Sequence, residues 1–145
     1  DMYRGLPRLG AYEKAVERLK IPLCYNGNLF SVEDYMRFTQ RFPETDRFMY
    51  GRGLITNPGM VNALREEKQP GKDILREFHD CLQEEYRQLL SGERNVLFRM
   101  KELWSYMAAG FTNYEKYAKK IKKSQHLSEY QAAVSNLFAE QDLIW

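Results

Sequence analysis

The sequence predicts an α/β unit followed by an all-α unit: the last quarter of a TIM (β/α)8 barrel, two parallel strands with their helices, and then a four-helix bundle. Three observations predict this. Residues 1–69 alternate helical periodicity with short apolar segments; each apolar segment runs into a turn containing glycine; and beyond Gln69-Pro70-Gly71 every segment repeats its apolar residues at helical spacing. A chain of 145 residues holds one ordinary domain or two small units, but not a complete eight-stranded barrel. The breaker pair Pro70-Gly71 sets the expected boundary, with the barrel end at 1–69 and the helical domain at 70–145.

In the first unit, residues 12–20 read as an amphipathic helix and Ile21-Pro22-Leu23-Cys24-Tyr25 as a short buried strand, closed by the turn residues Asn26-Gly27-Asn28. Ser31 stands three residues before Asp34, the spacing of a capping box, and Val32, Tyr35, Met36 and Phe38 supply an apolar face to a helix that ends near Phe42-Pro43. A second strand, Arg47-Phe48-Met49-Tyr50, runs into Gly51-Arg52-Gly53, and Asn57-Pro58 opens a further helix with proline in its first turn. Short apolar strands separated by one helix are the pattern of a parallel βαβ unit. Two parallel strands do not make a stable sheet alone. Their exposed edges predict self-association, strand exchange or disorder over residues 1–60 unless a preceding barrel portion covers them.

The second unit reads as helices at about 72–90, 93–109, 113–123 and 127–141, separated by Ser91-Gly92, by residues 110–113 and by Ser124-Gln125-His126. Ile74, Leu75, Phe78, Leu82 and Tyr86 form one apolar stripe, and Val96, Leu97, Met100, Leu103, Trp104 and Met107 another. Links this short make neighbouring helices antiparallel, and a compact bundle buries both stripes.

No apolar run reaches the roughly 20 residues a bilayer span requires, and residues 1–10 lack the apolar stretch of a secretory signal, so a cytoplasmic location is expected with no membrane partner. Cys24 and Cys81 are too far apart in sequence for a metal or redox motif and read as buried thiols. His79, beside Phe78 in an amphipathic pattern, reads as a surface or satisfied partner position, His126 as a loop residue, and Trp104 and Trp145 as packing residues. No metal site is expected.

Two constellations carry chemistry. Asn26-Gly27-Asn28 and Gly51-Arg52-Gly53 each follow an expected strand directly. Glycine lets main-chain amides approach an anion closely, and arginine adds a charge-assisted contact. Either motif alone also suits a plain turn or a flexible loop. Placed about 25 residues apart at the carboxyl ends of neighbouring barrel strands, they predict one phosphate site.

The second constellation is basic. The formal charge of +2 hides a segment, residues 94–123, with Arg94, Arg99, Lys101, Lys116, Lys119, Lys120, Lys122 and Lys123 against Glu102 and Glu115; it carries +6 and leaves −4 for the rest. Lys116, Lys119, Lys120 and Lys123 share one helix face, interleaved with Tyr114 and Tyr117. A solvated lysine face is the bland alternative. Mutual repulsion at that spacing, joined by Arg94, Arg99 and Lys101 on the preceding helix, favours contact with a phosphate backbone.

Residues 21–58, IPLCYNGNLFSVEDYMRFTQRFPETDRFMYGRGLITNP, resemble the tRNA-dihydrouridine synthase family, whose pattern is an apolar strand, Asn-Gly-Asp, a Ser-x-Glu-Asp helix start, and Gly-Arg-Gly followed by Asn-Pro. Tyr3-Arg4-Gly5 is similar to the family's Tyr-x-Gly, and Arg99-Met100-Lys101-Glu102, the stretch from Trp104 to Met107, and Gly110 resemble elements of its C-terminal domain. The resemblance implies the C-terminal portion of a reductase that uses FMN, recharged by NADPH, to reduce a uridine of tRNA to dihydrouridine. It implies that Asn26, Gly27, Asn28, Gly51, Arg52 and Gly53 cradle the FMN phosphate. Asn28 stands where the family has aspartate, which puts in doubt any role in which that side chain orients a neighbour. The family's catalytic cysteine belongs to an early barrel loop, expected upstream of residue 1, so no catalytic residue is assigned and the chain alone is expected to be inactive. Two other readings compete: another FMN- or phosphate-binding barrel, such as a dihydroorotate dehydrogenase-like protein, and a non-catalytic RNA-binding helical module.

Overall fold

The computed structural model describes residues 6–66 and 69–145, so the Tyr3-Arg4-Gly5 element lies outside the described residues. Among them the chain forms α1 (Leu9–Arg18), α2 (Val32–Arg41), α3 (Arg52–Thr56), α4 (Met60–Glu66), α5 (Lys72–Leu89), α6 (Glu93–Met107), a 3-10 turn (Ala108–Gly110), α7 (Glu115–Lys123) and α8 (Leu127–Glu140).

The expected pair of parallel barrel strands is not present among the described residues. The two segments meet at a single parallel bridge, Tyr25 with Phe48, in which the Tyr25 amide donates to the Arg47 carbonyl and the Met49 amide to the Tyr25 carbonyl, both at 2.9 Å. The fold is therefore helical rather than a quarter barrel. The physical reason lies in burial. Tyr25 is buried and Phe48 packs beside it, whereas Ile21 and Met49 are 64% and 53% exposed, so the flanking residues gain nothing from extending the pairing. A lone two-stranded pair lacks the further neighbours that make a ladder cooperative. The strand edges invoked for self-association are likewise missing among the described residues.

Residues 6–66 instead gather around an aromatic core. Tyr25, Leu29, Phe38, Phe42 and Met60 form its buried centre. The Tyr25 and Phe38 rings stack with centroids 3.8 Å apart, and Tyr12 of α1 meets Tyr25 at 5.1 Å. Helix α2 starts where its cap dictates. Ser31 Oγ accepts from the Asp34 amide at 3.1 Å, and Asp34 Oδ2 accepts from the Phe30 amide at 3.0 Å, a reciprocal arrangement in which the Ser31 cap contributes about 1 kcal/mol.

Helices α5 to α8 share a second core. Leu75, Val96, Leu97, Met100, Trp104, Met107, Tyr117, Ile121, Tyr130, Val134 and Leu137 are all buried in it. Gly92, at φ 81°, turns the chain between α5 and α6 in the left-handed region that favours glycine. After α8 the chain folds back: the Thr112 amide donates to the Asp142 carbonyl at 2.8 Å and the Ile144 amide to the Gly110 carbonyl at 3.0 Å, around an antiparallel bridge between Phe111 and Leu143.

Both cysteines are exposed, against the expectation of buried thiols. On α5 the buried positions are Leu75, His79 and Gln83, one face repeating every four residues, and Cys81 lies half a turn away from it. Cys24 precedes the inward-facing Tyr25 in extended backbone and so faces outward. Among the described residues no helix is long and apolar enough to cross a membrane.

Candidate phosphate cradle and basic surface

The two glycine-bearing junctions meet. The Tyr25–Phe48 bridge places their starting points side by side, and Arg52 Nη2 then donates to Asn28 Oδ1 at 3.0 Å. Gly53 is buried against the first junction so closely that a Cβ there would fall inside the van der Waals surface of the Leu29 carbonyl oxygen. Within the first junction the Leu29 amide donates to the Gly27 carbonyl at 3.0 Å, and the Tyr25 ring lies against Gly27. Asn26 and Gly51 are exposed at the rim, while Gly27, Asn28 and Arg52 are half-buried.

The second junction departs from its sequence reading in one respect: Arg52 and Gly53 are not loop residues but the first turn of α3, whose N-cap is Gly51. Within that turn the Leu54 amide donates to the Gly51 carbonyl at 3.1 Å. The helix is held by the Thr56 hydroxyl, which donates to the Tyr106 carbonyl of α6 at 3.3 Å, and by packing of Ile55 on the second core. On either side of α3 lie buried polar groups that sequence reasoning passed over. The Tyr50 hydroxyl and both side-chain polar atoms of Asn57 lack a hydrogen-bond partner among the described residues, and burial, reinforced by nearby Tyr35, pushes the Tyr50 phenol up to about 12.

Asn28 answers the doubt raised by its departure from the aspartate pattern. Its amide oxygen orients the Arg52 guanidinium and adds no negative charge of its own, so the six residues contain donors and a cation with no carboxylate among them. The donor set fits a phosphate.

The basic residues of α6 divide between two surfaces. Arg94 and Lys101 line one groove with Leu97, Phe98 and the α7–α8 link, enclosing about 500 Å3. Lys101 Nζ donates to the Ser124 carbonyl at 2.7 Å, tying α6 to that link. Arg99 is not with them. It belongs to a separate depression with Ile55, Tyr86, Leu103 and Tyr106, and its Nη1 meets Glu102 Oε2 at 3.2 Å. Residues 99 and 101 are about 200° apart around a helix, which explains the split.

On α7, Lys116, Lys119, Lys120, Lys122 and Lys123 are exposed, while Tyr117 and Ile121 are buried. The interleaving tyrosines therefore face inward, not toward a ligand: Tyr117 is 1% exposed, and Tyr114 packs on the second core. Lys116 Nζ lies 3.7 Å from Glu140 Oε2 and 4.5 Å from the Tyr117 ring centroid, which leaves Lys119, Lys120 and Lys123 as the outward part of the row.

The chain belongs to the dihydrouridine synthase family, whose model matches residues 8–141 and so runs across both cores, the paired junctions and the basic helices. The family comprises flavin-dependent oxidoreductases that act on tRNA. None of the curated proteins compared with the chain matches it.

Proposed function

We propose that this chain is the cofactor-phosphate and RNA-holding part of an enzyme that reduces uridine to dihydrouridine in tRNA, its residues 26–28 and 51–53 cradling the FMN phosphate and the basic helices of its 70–145 domain meeting the tRNA backbone. The observation that supports the reading is the 3.0 Å contact between Arg52 and Asn28, which brings the two glycine-bearing junctions together. FMN, when bound and recharged by NADPH, supplies the hydride. This chain's contribution is positional. Arg52 and the amides of residues 27 and 53 bind the phosphate end, Asn28 fixes the guanidinium, and Arg94, Lys101, Lys119, Lys120 and Lys123 offer cations to the RNA. Lys116 and Arg99 complete the basic set, each moderated by a neighbouring carboxylate.

Titration with FMN and with riboflavin, which lacks the phosphate, tests the cradle. FMN binds at least about tenfold more tightly, and Arg52→Ala closes that gap, as expected for loss of a charge-assisted contact. Equal binding of the two flavins, or no binding of either, overturns the assignment.

A further inference from the structure

The structure contains an exposed aromatic ring that neither core explains. Phe98 is 74% exposed on α6, off the stripe of Val96, Met100 and Trp104 that enters the second core. It forms a wall of the groove of about 500 Å3 whose floor is the buried Leu97 and Leu127 and whose other edges carry Arg94, Lys101 and His126, with Glu93 as the one carboxylate among the lining residues. The carboxylates nearby do not cancel this character. Glu129 is held by the Gln125 amide at 2.8 Å, and Glu93 stands at the N-terminal turn of α6, where a negative charge complements the helix dipole. A flat apolar ring flanked by a guanidinium and an ammonium group is the pairing that takes an unpaired base on its face and the adjoining phosphate on its charges.

We infer that Phe98 is a stacking platform for an unpaired nucleobase of RNA, with Arg94 and Lys101 holding the phosphate beside it. The inference rests on the reading of the helical half as an RNA surface and deepens it. The basic row on α7 follows a backbone regardless of pairing, whereas this groove accepts only a base free to leave its stack. Phe98 thereby gives the surface a preference for loops over continuous duplex.

The test uses the whole chain with two probes, a short single-stranded RNA containing 2-aminopurine and a blunt RNA duplex. Phe98→Ala lowers affinity for the single strand about 5- to 100-fold, the loss one stacked base brings, and abolishes the quenching of 2-aminopurine on binding. Its duplex affinity stays within about twofold, because phosphate contacts are untouched. Phe98→Trp restores both quenching and affinity. Equal single-strand affinity and quenching in the parent and in Phe98→Ala overturn the platform and leave the RNA surface standing. Absence of binding to either probe by the parent chain overturns the RNA surface and the platform together.

Discussion

His79 Nε2 lies 2.6 Å from the hydroxyl of Tyr130, and this contact fixes the protonation of a buried network. Nδ1 of the same ring lies 2.8 Å from Asp80 Oδ1, and a carboxylate can only accept, so Nδ1 carries the proton and Nε2 accepts from Tyr130. The Tyr130 oxygen in turn accepts from Trp104 Nε1 at 2.7 Å. Four side chains from three helices are thus satisfied with His79 neutral.

Stability should therefore depend on His79 ionisation. Burial pulls the His79 pKa below its ordinary value of 6.5, outweighing the hydrogen bond and charge of Asp80, which pull the other way. The unfolded chain binds the proton first as pH falls, so this group's contribution is full above 6.5 and declines as pH drops through 6.5 toward the lower folded value. Urea midpoints measured from about pH 7.5 to 5.5 should fall, and His79→Gln should flatten that segment of the profile. An unchanged slope in His79→Gln would mean that another group titrates.

Tyr130→Phe removes the oxygen on which His79 and Trp104 both depend, leaving two buried groups unpaired. The expected loss is about 1–3 kcal/mol for each, read as a lower urea midpoint at constant slope. A loss below about 0.5 kcal/mol would show that the network relaxes without cost.

The two glycines flanking Arg52 should respond to substitution very differently. Gly53→Ala drives a methyl into the Leu29 carbonyl and should cost about 1–3 kcal/mol as the junctions part. Gly51→Ala meets nothing within 4 Å and should stay within about 0.5 kcal/mol of the parent by thermal unfolding. Equal effects would contradict the close approach.

Reversing Lys119, Lys120 and Lys123 to glutamate brings the +6 segment to neutrality. If all three meet phosphates, log affinity against log salt should flatten by about 2 to 3, with helical circular dichroism unchanged because these side chains are exposed. Arg99→Ala, in a separate depression and paired with Glu102, should weaken binding less than the triple reversal.

What was legible in the sequence was the part written in local rules. Apolar residues at helical spacing placed α5 to α8, the Ser31 and Asp34 pair placed the start of α2, and Ser91-Gly92 placed its turn. What was not legible depends on neighbours distant along the chain. The apolar segments at 21–25 and 47–50 look like strands, but whether such a segment pairs is decided by what lies beside it, and here only Tyr25 and Phe48 meet. Helix α3 was hidden because glycine on both sides of Arg52 reads as a loop; packing of Gly53 on Leu29 and the Thr56 bond to Tyr106 hold it helical. In the candidate site, the pairing of the two junctions was foreseeable from their spacing. That an asparagine amide could orient Arg52 was not, nor that consecutive basic residues of α6 would serve different surfaces.

The chain has two tryptophans, and they occupy unlike settings. Trp104 is enclosed in the second core, whereas the ring of Trp145 covers Gly110 and its Nε1 reaches the Pro70 carbonyl at 3.4 Å, at the meeting of the two halves. Nature has in effect installed two fluorophores that report separate events. Emission from Trp104 will follow melting of the helical half, while Trp145 will register loosening of the seam beside Pro70, so a single spectrum resolved by quencher access can time one against the other.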